Sequence, residues 1–163
     1  MSARCDPRFT RDIDLVVAVS GDSEAEELAR QLRNDGFTTA GAVEQEAVGR
    51  LAMIRFLDSE GVSVDLLVAS SGIESEIVAE AEVLEVAHGI RIPVARVGHL
   101  IVMKLLSVRE GRETDAADLR SLSAIADNEE WSRAETAVRL VISRGFSRDR
   151  NLVADLGRLR TTH

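Results

Sequence analysis

Three aspartates and one lysine carry the chemistry that this sequence offers. Asp12 and Asp14 flank Ile13 in the run DIDLVVAVS at Asp12–Ser20, whose β-branched residues and Gly21 stop predict a buried strand. Residues two apart on a strand point the same way, so both carboxylates project from one face and Ile13 from the other. Two negative charges that close repel, and each is costly beside a core. Mg²⁺ offsets this directly, because it takes carboxylate oxygens and keeps waters or phosphate oxygens at its other positions. The plain alternative is a solvated strand end touching Arg8 or Arg11.

Asp65 interrupts an otherwise apolar strand predicted over Val62–Ala69. A carboxylate there needs a partner. If that strand lies beside Asp12–Ser20, Asp65 joins the other two acids, and three carboxylates on adjacent strands can hold two metal ions. The competing partner is Arg50 or Arg55. Lys104 is the one lysine beside nineteen arginines, and a lysine is a compact point charge rather than a planar fork. It falls on the same helical stripe as Leu100, Leu105 and Val108, so it leans toward the core and needs an anion: a phosphate, or Asp118 in a structural pair. Asp115 and Asp118 also suit the first turn of their own helix.

The elements that must position these groups follow from periodicity. A capping box at Ser23-x-x-Glu26 opens a helix that Gly36 ends. Phe37–Gln45 is ambiguous, and Leu51–Leu57 reads as a strand before a turn at Asp58–Gly61. A short helix at Ile73–Glu80 precedes two short strands, Val83–Val86 and Ile90–Ala95, the second with Pro93 as an edge strand has. Helices are predicted at Val97–Arg109, Asp115–Ala126, Trp131–Ser143 and Asp149–Leu159. The plan is α/β in the α+β sense: a small mixed sheet over residues 1–96, with helices packed on it, and a helical C-terminal half over 97–163 of the same domain.

Composition bounds the partners. The chain has 163 residues, 45% of them apolar and 29% charged, which suits one folded domain and excludes a disordered one. The single cysteine, Cys5, can form neither an intrachain disulfide nor a zinc site, and no apolar run approaches a membrane span or a secretory signal, so the expected compartment is cytoplasmic. The net charge of −8 is uneven: residues 22–86 hold four arginines and fifteen acids, and residues 87–163 hold thirteen basic residues and ten acids. A compact anion such as a nucleotide fits that distribution better than duplex DNA, and Arg144, Arg148, Arg150 and Arg158 stand either as contacts to a nucleic-acid acceptor or as solvated helix charges.

Three segments together resemble a known family. They are R-x-T-x-D-I-D-L-V-V at Arg8–Val17, V-D-L-L-V at Val64–Val68, and K-L-L-x-x-R-x-x-R-x-x-D-x-x-D-L at Lys104–Leu119. In this order and spacing they look like the nucleotidyltransferases of the DNA polymerase β superfamily, and among these the AbiEii-like branch, the nucleotidyltransferase partners of type IV toxin–antitoxin pairs. The likeness spans roughly residues 8–122. It implies transfer of a nucleoside monophosphate from an NTP to an RNA, protein or small-molecule acceptor, with Mg²⁺ or Mn²⁺ as cofactor and a cognate antitoxin as partner. By the same resemblance Asp12, Asp14 and Asp65 bind metal, and Asp65 favours deprotonation of the acceptor hydroxyl. Lys104 contacts phosphate, with Asp118 supporting it, and Arg8 and Thr10 are the remaining candidates for the nucleotide.

The chain departs from that pattern at one place. The family carries a helix ending in Gly-Gly or Gly-Ser about ten residues before its D-x-D, to cradle the β- and γ-phosphates. Here eleven residues precede Asp12 and none is glycine. Three expectations compete: translation begins upstream, the protein is a truncated or inactive interaction protein on the same fold, or Arg8, Thr10 and Arg11 take over part of the phosphate contact.

Overall fold

The computed structural model describes residues 12–45, 48–107 and 113–161. The described strands and helices make a mixed α+β fold, a small mixed sheet with helices packed on it. The strands β1 (Asp12–Val16), β2 (Thr38–Gln45), β3 (Arg50–Leu57) and β4 (Ser63–Leu67) form one sheet in the order β1-β4-β3-β2. β1 runs parallel to β4, and the other pairings are antiparallel. A separate hairpin pairs β5 (Glu82–Ala87) with β6 (Ile90–Val94).

The strand containing Asp12 and Asp14 is shorter than its sequence predicts, and it is not buried. β1 ends at Val16 and lies at the edge of its sheet, with Ile13 and Leu15 exposed. Its apolar run satisfies strand propensity without being covered, so composition alone misplaces it. The ambiguous segment after Gly36 is β2, the opposite edge.

Period two divides the sheet into unlike faces. Ile54 and Phe56 of β3 and Val64 and Leu66 of β4 bury one face against α1 (Asp22–Asn34), where the small Ala25 and Ala29 permit close approach. Each fully buried side chain of the size of Phe56 or Leu66 contributes roughly 2–3 kcal/mol. The alternate residues, Arg55, Asp65, Asp14 and Asp12, share the other face. The expected capping box at Ser23 does not form: the N-cap is Gly21, and Glu24 instead accepts hydrogen bonds of 2.8 Å from the Ser20 amide and hydroxyl. At the other end Gly36, at φ +97°, and Phe37 donate back to Arg33 and Leu32, which closes the helix.

A larger core joins α2 (Glu74–Ala79), α3 (Val97–Ser107), α4 (Glu113–Ile125), α5 (Asn128–Ser143) and α6 (Leu152–Thr161). Val16 of β1 packs against it, which ties the acid face of the sheet to the helical half. α3 and α5 meet at Gly98, where a Cβ would lie 2.4 Å from the Glu130 carbonyl oxygen, so only glycine fits. The buried His99 beside it is held below its ordinary pKa by burial, and the charges facing it are Glu80, Arg133, Glu130 and Glu76. None of the described helices is long and apolar enough to cross a membrane.

Candidate functional site

The register of the sheet brings the aspartates together. β1 and β4 pair with Asp12 opposite Ser63 and Asp14 opposite Asp65. Side chains at facing positions of neighbouring strands point to the same side, so Asp12, Asp14 and Asp65 share one face. The condition set by the sequence, that the later strand lie beside the earlier one, is met.

The three acids do not share one environment. Asp65 is 5% exposed and held by Arg55, its antiparallel partner on β3. Arg55 Nε donates to Asp65 Oδ1 at 2.7 Å and Nη2 to Oδ2 at 2.6 Å, a two-point charge-assisted pair. Of the two arginines that the sequence left open, the structure thus pairs Arg55 with Asp65, and Arg50 instead contacts Asp22. Asp14 has no hydrogen-bonded partner among the described residues. Desolvation, and next the charge of Asp65, push its carboxyl above the ordinary pKa, while Lys104 pulls it down. Asp14 keeps part of its surface in solvent, so burial raises its carboxyl without enclosing it.

Lys104 approaches from α3, and α4 supplies its anions. Its Nζ lies 2.8 Å from Asp118 Oδ2 and 3.5 Å from Asp115 Oδ1. Both acids are buried, and Asp115 Oδ2 has no hydrogen-bond partner. Lys104 therefore forms the structural pair that the helical spacing allowed, while staying near enough to Asp14 to act on its charge. Five carboxylates thus meet two cations, Arg55 and Lys104. An excess of negative charge of this kind attracts cations and repels a bare polyphosphate.

The donor set is oxygen only, which suits Mg²⁺ or Mn²⁺. Yet among the described residues no three acidic, histidine or cysteine side chains stand close enough to enclose a metal ion. Arg55 takes both oxygens of Asp65, so that carboxylate is already paired. The residues fit a divalent cation in part: Asp12 and Asp14 lie exposed on the shared face, while Asp65 is held by Arg55. A cavity of about 490 Å³ beside Val17, Val19, Leu28 and Val78, and one of about 240 Å³ beside Val68, Ala69 and Phe146, are not lined by any of the five aspartates.

The remaining candidates separate. Arg8, Thr10 and Arg11 lie outside the described residues. The four C-terminal arginines are engaged within the fold: Arg144 with Glu76, Arg148 with the Leu106 and Ser70 carbonyls, Arg150 with the Leu105 carbonyl and Asp155, and Arg158 with Asp155. Arg158 is nonetheless a largely solvated helix charge, 73% exposed, whereas Arg150 is mostly covered. Arg55 is the site residue that sequence reasoning noticed only as an alternative partner. A signal was present: a hairpin centred on residue 60 sets 55 opposite 65. A scan against protein-family models finds no match for this chain, and neither does a search of curated proteins.

Proposed function

We propose that the acid face binds a divalent cation and that the protein is a metal-dependent nucleotidyltransferase acting on an RNA, protein or small-molecule acceptor. The observation that carries this reading is the pairing of Asp14 with Asp65 across parallel strands, with Asp12 on the same face. Two carboxyls at one register repel, and a cation relieves them. Asp12, Asp14 and Asp65 would hold the ion. When bound, such an ion neutralises phosphate charge and lowers the pKa of an attacking hydroxyl. Lys104, braced by Asp118 and Asp115, is the cation from the helical half that faces an incoming phosphate. The motif order Asp12-x-Asp14, Asp65, Lys104 and Asp118 supports the same assignment, including the toxin-like role and the cognate antitoxin that the AbiEii resemblance implies.

A second reading is favoured by the Arg55–Asp65 pair itself: an inactive interaction protein on the same fold, its acids satisfied without metal. The two are separated by thermal unfolding with NTP and Mg²⁺. The enzyme reading expects stabilisation that needs both and that Asp14→Asn removes. No shift with any of the four NTPs favours the interaction protein.

A further inference from the structure

Asp65 lies between two neighbours on one face of the sheet. On one side is Arg55 of β3, at its antiparallel register position, and on the other is Asp14 of β1, at its parallel one. We infer that Arg55 is a resident competitor for the metal: it holds Asp65 while the site is empty of cations, gives way when a divalent ion binds, and so sets the affinity of the site. The inference rests on the metal-binding reading above.

Two features make this exchange physically reasonable. Asp65 is buried, so its charge needs a partner at all times, and Arg55 supplies one at both oxygens. Arg55 has 46% of its side chain exposed, so it can withdraw into water at little desolvation cost. Lys104 cannot replace it there, because it is engaged by Asp115 and Asp118. The carboxylate of Asp65 therefore has two alternative partners, a guanidinium from β3 or an ion shared with Asp14, and one excludes the other.

The test is Mn²⁺ binding by titration calorimetry to the full chain, as wild type, Arg55→Gln, Arg55→Lys and the double variant Arg55→Gln with Asp14→Asn. Arg55→Gln is expected to bind Mn²⁺ about tenfold tighter or more, the change that follows from removing one competing charge-assisted pair. Its metal-free melting temperature falls, and Mn²⁺ restores more of it than in the wild type. Arg55→Lys, a point charge that cannot span both oxygens, falls between the two. The double variant loses the gain. Equal or weaker binding by both single variants, with wild-type binding measurable, overturns the role of Arg55 and leaves the metal site standing. A gain retained by the double variant overturns it too, since the ion would then sit elsewhere. No binding by any of the four proteins overturns both readings.

Discussion

Asp14 and Asp65 occupy one register of one sheet, yet they differ in all that surrounds them. Asp65, on an inner strand, is buried and held at both oxygens. Asp14, on the edge strand, is exposed and meets mainly other charges. The difference comes from the order of the strands. β4 has a neighbour on each side, and β3 brings Arg55 to one of them. Among the described strands β1 has a partner on one side only, and that partner brings another acid. Among the described residues the edge position thus leaves Asp14 without the guanidinium that the inner position gives Asp65. On the proposed reading, the exposed acid is the one that recruits an ion.

Substitutions can break this contrast in graded steps. Lys104→Met should cost most, about 3 kcal/mol in chemical denaturation, because it leaves the buried Asp115 and Asp118 without their cation. Arg55→Gln should cost about 2 kcal/mol without metal, less because Arg55 is nearly half exposed while Asp65 stays buried. Glu76 offers a more exposed version of the same kind of pair. Arg144 holds its carboxyl down at about 2, below its ordinary value of 4.5. Since the folded pKa is depressed, the contribution is complete above the ordinary value and is lost as pH falls toward about 2. Glu76→Gln should therefore lower stability by about 1 kcal/mol at neutral pH and flatten that part of the acid limb. Asp14→Asn should act in the opposite direction, raising metal-free stability by roughly a few tenths of a kcal/mol, because it removes a repelled charge at an exposed position. A destabilising Asp14→Asn would erase the contrast with Asp65.

Much of the fold could be read from periodicity and punctuation. The turn at Asp58–Gly61, the helices around Val97 and Trp131, and the sheet-then-helix order all stand where local pattern puts them. The errors share a cause. β1 reads as buried because its residues are apolar, but burial depends on what covers a strand, and that is tertiary. The box at Ser23 matches a local rule, and the chain satisfies its first turn through Ser20 and Glu24 instead. At the site, the shared face of Asp12 and Asp14 follows from period two alone. That Asp65 joins them depends on parallel pairing between segments some fifty residues apart, which no local pattern encodes. The choice of Arg55 over Arg50 was within reach, because hairpin symmetry fixes it.

The claim on which the rest depends is that this face takes a divalent ion. Calorimetric titration of Mn²⁺ into wild type and Asp14→Asn, with no nucleotide present, tests it most directly. The account predicts saturable binding by the wild type that Asp14→Asn weakens at least about tenfold, the effect of losing a ligand at a two- or three-carboxylate site. Equal binding by both proteins, or none by the wild type at millimolar Mn²⁺, would contradict it.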